Sequence, residues 1–137
     1  MAALINEGVV TRETLRFSEF LDGNRLIEVN LAGRLATSSG GILSVDKWLT
    51  VDDRDGRLYV RTREYSYHAW ILRPSPRRDL FRYDNSHGAF DTLHRHRFDT
   101  DGAERGSDPI EADLMPPLAD VIREAEFLAR YLTRLQT

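Results

Sequence analysis

Three of the four histidines in this chain crowd into one stretch: His87, His94 and His96 lie between Arg82 and Arg97, and His68 precedes them. An imidazole titrates near neutral pH, so a closely spaced pair can serve as general base and general acid. If Leu93–Phe98 is extended, His94 and His96 leave the same face, about 6–7 Å apart. Arginines are interleaved at Arg82, Arg95 and Arg97. Their planar forks suit phosphate, and their charge would meet the charge that builds on a phosphoryl group during cleavage. Paired histidines with arginines describe a metal-independent ribonuclease. Two other chemistries fit the same residues. His-x-His with His87 or Asp84 could chelate zinc or another divalent ion. Alternatively the cluster is a polar corner, with Asp84 and Asn85 capping a turn and the histidines bonded to backbone.

In the ribonuclease reading the catalytic candidates are His87, His94, His96 and Asp84, the carboxylate orienting an imidazole. The substrate-binding candidates are Arg82, Tyr83, Arg95 and Lys47. Arg95 falls opposite the histidines on an ideal strand. Lys47 interrupts the apolar face Leu43, Val45, Leu49, Val51, where an ammonium must be paired, line a cleft or snorkel. Tyr65, Tyr67 and Trp70 could stack on bases, although aromatics in strands more often pack a core. His68 reads as a structural neighbour of Tyr83. No cofactor is required, a divalent metal at the histidines being the alternative. Gly-rich phosphate loops, serine elbows and His-Glu-x-x-His helices do not occur.

These residues need a scaffold, and periodicity supplies one. Thr14–Leu21 alternates loosely, Arg25–Leu35 and Ile42–Val51 cleanly, and turns fall at Asp22-Gly23-Asn24 and Ser38–Gly41. Asp53-Arg54-Asp55-Gly56 joins Ile42–Val51 to a long run, Arg57–Leu72, as a hairpin. That run changes parity, from Leu58 and Val60 to Tyr65, Tyr67, Ala69 and Ile71, which predicts a bulge near Thr62–Glu64. Pro74 and Pro76 mark a loop. Short strands follow at Asp79–Tyr83 and Leu93–Asp99, and Glu104–Ala112 reads as an irregular polar connection.

The last segment repeats every three or four residues through Leu118, Val121, Ile122, Ala125, Leu128, Leu132 and Leu135, one apolar helical stripe begun by Pro116 and Pro117. Glu126 and Arg130 are expected on its outer face. The sum is a single α+β domain over 1–137: a twisted, mostly antiparallel sheet over about 12–99, an irregular connection over 100–115, and a long C-terminal helix over about 117–135 packed on the sheet. The stripe could equally dock on a second copy, leaving a homodimer open.

At 137 residues, 41% apolar and 30% charged, the chain has the make-up of one folded domain. It has no cysteine, which excludes disulfides and thiolate metal sites. No run approaches a membrane span, and the N-terminus lacks the pattern of a secretory signal, so a cytoplasmic location is expected. The net charge of −3 argues against bulk electrostatic coating of nucleic acid, though not against a local basic groove. Lys47 is the only lysine, so nearly every base is arginine.

The succession Val45-Asp46-Lys47-Trp48-Leu49, Tyr65-Ser66-Tyr67-His68-Ala69-Trp70, Phe81-Arg82-Tyr83-Asp84-Asn85-Ser86-His87-Gly88 and His94-Arg95-His96 resembles the TumE toxin family of toxin–antitoxin systems. The resemblance runs from about Leu26 to the C-terminal helix, and its most specific part is Arg-Tyr-Asp-Asn followed by His-Arg-His. It implies a growth-inhibiting toxin held in check by a cognate antitoxin, typically a DNA-binding helix-turn-helix protein. The shared motif positions are Tyr83, Asp84, Asn85, His87, His94, Arg95 and His96. With the histidines, this gives the functional expectation: a toxin acting on RNA or another nucleic acid. The alternatives are a non-catalytic protein-binding module and a metal-dependent enzyme.

Overall fold

A computed structural model describes residues 1–72, 77–85, 93–99, 102–110 and 115–135. Among the described residues, eight strands form one antiparallel sheet: β1 (Val10–Glu13), β2 (Arg16–Asp22), β3 (Arg25–Thr37), β4 (Gly41–Arg54), β5 (Arg57–Ile71), β6 (Arg78–Asp84), β7 (Leu93–Phe98) and β8 (Glu104–Ile110). A short helix α1 (Ala2–Asn6) precedes them and a long helix α2 (Leu118–Leu135) follows. From β3 to β8 the strands lie in chain order, while β1 and β2 both pair along β3. The architecture is the expected α+β arrangement of a mostly antiparallel sheet with a C-terminal helix packed against it.

Alternation built the strands, and turn residues joined them. Asp55 and Gly56, both at positive φ (54° and 79°), link the paired residues Arg54 and Arg57. This two-residue Asp-Gly turn has the hand that matches strand twist. The predicted bulge is present at its predicted place. Trp48 pairs with Glu64 and Leu49 with Thr62, so Arg63 is the extra residue. The bulge brings Val60 and Thr62 onto the same face as Tyr65 and Tyr67, resolving the parity change. Leu58 and Val60 nevertheless stay exposed at the hairpin's far end. Asn85 fixes the distortion from the next strand: its Oδ1 accepts from the Tyr65 N–H (2.9 Å) and its Nδ2 donates to the Arg63 carbonyl (3.2 Å).

The core lies between one face of the sheet and α2. Leu35, Leu43, Val45, Tyr67, Ala69 and Phe81 meet Val121, Ile122, Ala125 and Ala129 of the helix, with Leu4 of α1 on the same side. Burying a large apolar side chain is worth about 1.5–3 kcal/mol. This face therefore fixes which side of every strand points away from the helix.

Three expectations are corrected. Glu104–Ile110 is a strand, so the sheet runs from Val10 to Ile110 and does not end near residue 99. Gly106 and Pro109 disguised it, yet an edge strand tolerates both because one of its sides needs no partner. The helix α1 and strand β1 also lie outside the predicted elements. Glu126 is not on the outer face of α2. It is 5% exposed and holds the β3–β4 turn, accepting from Ser39 N–H (2.7 Å), Ser38 Oγ (2.9 Å) and Ser39 Oγ (3.0 Å). Arg130 does pair with it, at 3.3 Å.

Candidate functional site

On the face away from α2, strand register lines up polar residues in two adjacent cross-strand rows. One row reads Arg34, Ser44, His68, Arg82, His96, Ser107, crossing from β3 to β8. The neighbouring row contains Asp46, Ser66, Asp84 and His94. Antiparallel pairing makes this unavoidable, because directly paired residues share a face and next-but-one residues repeat it.

His94 and His96 emerge side by side, ring centroids 6.4 Å apart. They differ in setting. His96 is 9% exposed and its ring is held at both nitrogens: Nδ1 lies 2.5 Å from Glu104 Oε1, and Nε2 lies 3.3 Å from Asp84 Oδ2. Asp84 is almost fully buried and takes the Arg82 Nε–H at 2.8 Å. A terminal nitrogen of Arg82 also reaches His96 at 3.3 Å. The half-buried His94 ring faces this cluster from the next row.

A second charged cluster continues the row on β5 and β6. His68 Nε2 meets Asp79 Oδ1 at 2.7 Å, and Arg77 donates to the same oxygen at 3.1 Å. Burial pulls the His68 imidazole below its ordinary pKa; Asp79 opposes the shift, and Arg77 and Arg82 add to it. His68 pairs in register with Arg82 and packs on Trp70 and Phe98, so it is not the neighbour of Tyr83 that its position suggested. Tyr67 takes that place, and being next in the strand it points to the opposite face.

The structure thus brings together Asp84, His94, His96 and Arg82. Tyr83, Arg95 and Lys47 it places on the α2 side. The Arg95 Nε–H donates to Tyr83 Oη (3.1 Å), Tyr83 Oη–H donates to Glu124 of α2 (2.9 Å), and Arg95 closes the triangle with an ion pair to Glu124. Burial pushes the Tyr83 hydroxyl up in pKa, and Glu124 adds to the rise. Lys47 stands in register between Leu31 and Tyr65. His87 lies outside the described residues. Among the described residues no group of three His, Asp or Glu side chains is arranged to hold a metal ion.

Sequence reasoning missed His68, Asp79, Arg77 and Glu104. Their only sequence signal was parity within each strand; which strand lies beside which requires the register.

No known family model matches the chain, and comparison with curated proteins and with solved structures finds no match. Among the described residues no helix is long and apolar enough to cross a membrane.

Proposed function

We propose that this chain is the toxin of a toxin–antitoxin pair and that it cleaves RNA without a metal, at the face away from α2. The single observation that carries the chemistry is the His94–His96 pair, 6.4 Å between ring centroids, with Arg82 against His96. That spacing admits a phosphate between two imidazoles. His94, the more open ring, takes the proton of a ribose 2′-hydroxyl as that oxygen attacks phosphorus. His96 gives the proton on Nε2 to the departing 5′-oxygen, which displaces Asp84 Oδ2, the longer of the ring's two carboxylate contacts at 3.3 Å. The products are a 2′,3′-cyclic phosphate and a 5′-hydroxyl end. Arg82 meets the charge on the phosphoryl oxygens. Glu104, 2.5 Å from Nδ1, fixes the His96 ring with Nε2 toward the substrate, and Asp84 holds Arg82 in place at 2.8 Å. The resemblance to TumE toxins supplies the biological setting: growth arrest, relieved by a helix-turn-helix antitoxin in the cytoplasm.

The test is growth of cells expressing the protein, with RNA cleavage followed in vitro. His94→Ala and His96→Ala should each remove the arrest and lower cleavage by about 100-fold or more. If both variants fold and remain as inhibitory as the unmodified chain, the reading is wrong.

A second reading has its own observation. Phe17 and Leu21 on β2, and Leu58 and Val60 at the β4–β5 hairpin, are large apolar residues left exposed. Such groups mark protein contacts, so a non-catalytic binding module would act through them. It predicts that Phe17→Ser or Leu58→Ser abolishes activity while the histidine substitutions are silent.

A further inference from the structure

Upstream of the histidines on the same face lies a cavity of about 410 Å³ between β1, β3, β4 and β5. Its floor is apolar, formed by Ala36, Ile42, Trp70 and Leu72. Its rim carries three arginines, Arg12, Arg34 and Arg77. This volume lies within the range of small-molecule sites.

The rim is organised by the floor. Arg77 lies 4.1 Å and Arg34 5.3 Å from the centroid of the Trp70 ring, which is itself 4% exposed. A guanidinium held against an indole keeps its edge N–H groups free for an oxyanion. Charge accounting is specific. Arg77 is matched by Asp79. Glu13 turns its carboxylate back to the Leu15 N–H at 2.9 Å. Among the described residues, Arg12 and Arg34 have no carboxylate within ion-pair distance. With Asp79 matching Arg77 and Glu13 also in the lining, the three arginines still leave the cavity net positive, and the nearly double negative charge of a phosphate monoester meets that field more strongly than the single charge of an internal phosphodiester.

We infer that this cavity binds a terminal phosphate monoester carried on a flat apolar body, as in a nucleoside monophosphate or the 5′-phosphorylated end of RNA. Arg12 and Arg34 hold the phosphate, and the base lies on the floor beside Trp70. Arg34 also begins the cross-strand row that passes through His96, four strand spacings or roughly 19 Å away. An RNA chain anchored by its 5′-phosphate would therefore run along the sheet toward the histidines. In that form the inference rests on the RNA reading above; as a nucleotide site it stands without it.

Calorimetry with AMP, adenosine and inorganic phosphate tests the site. Anisotropy with 2′-O-methyl hexanucleotides, which cannot be cleaved through the 2′-oxygen, tests the source of the ligand. AMP should bind at least about 10-fold tighter than either adenosine or inorganic phosphate, and Arg12→Gln and Arg34→Gln should each weaken it by about 10-fold or more. Adenosine or phosphate matching AMP overturns the assignment, as does unchanged AMP binding by both variants at unchanged melting temperature. A 5′-phosphate that tightens hexanucleotide binding by a similar factor supports the RNA end as ligand. AMP binding with hexanucleotides indifferent to a 5′-phosphate supports the free nucleotide. Cleavage of RNA by a protein that ignores AMP sinks this site and spares the histidine reading; AMP binding with no cleavage does the reverse.

Discussion

His68 and Asp79 meet across β5 and β6 with 2.7 Å between Nε2 and Oδ1, and Arg77 binds the same carboxylate oxygen. The imidazole still titrates below its ordinary 6.5, because burial and the nearby cations Arg77 and Arg82 outweigh the attraction of Asp79. Since the fold disfavours the protonated ring, the contribution of His68 to stability is fully present above about pH 6.5. It is lost as pH falls through the depressed folded value. Replacing Asp79→Asn removes the force that holds the pKa up, so the His68 resonance should titrate at still lower pH by NMR. A rise would contradict this balance.

Glu126 ties the helix to the β3–β4 turn. Burial alone would raise its carboxyl pKa, but hydrogen bonds from Ser38, from the Ser39 backbone and side chain, and from Arg130 together bring it below the usual value. Its stabilisation is therefore complete above the unfolded-state value of about 4.3 and disappears as pH falls through the lower folded one. Glu126→Gln should cost about 2–3 kcal/mol at neutral pH by urea unfolding. It should also flatten the acid limb of stability against pH.

Gly33 sits at φ 150° where β3 passes the link between β1 and β2. A Cβ there would stand 2.5 Å from the Thr14 carbonyl oxygen and 2.8 Å from Leu15 Cα, both backbone atoms that have no room to yield. Gly33→Ala should destabilise by about 1–3 kcal/mol, through strain as well as overlap. A melting curve superimposable on that of the parent chain would refute the crowding.

The Arg95–Tyr83–Glu124 triangle pins α2 to the sheet on the side opposite the histidines. Tyr83→Phe removes the hydroxyl shared by the other two members and should lower stability by about 1–2 kcal/mol. RNA cleavage per folded molecule should be unchanged. If activity falls while melting does not, Tyr83 belongs to the site after all.

Most of the fold was legible because the patterns that specify it are local. Alternation from Arg25 to Leu72, the Asp-Gly turn, the parity change at Arg63 and the α2 stripe each reflect a period of two or of three to four that a core imposes on one element. Even the shared face of His94 and His96 followed from strand geometry. What β8 concealed was also local: an edge strand feels half the constraint of an inner one, so its glycine and proline carried no penalty to warn against a loop.

By itself, then, the sequence determined the strands from β2 to β7, the C-terminal helix and the shared face of β7 from which the histidines project, but not α1, β1 or β8. Only the tertiary structure decided which residues those histidines meet. Placing β6 beside β5 set Arg82 between His68 and His96, and placing β8 beside β7 brought Glu104 to the same ring. The α2 helix, by covering one face, drew Tyr83 and Arg95 into its anchor and left Arg12, Arg34 and Trp70 to line a cavity on the other. The physical reason is that a strand's period specifies two faces but not its neighbours. Register is settled by the combined burial of every strand against one helix, a sum no single segment contains.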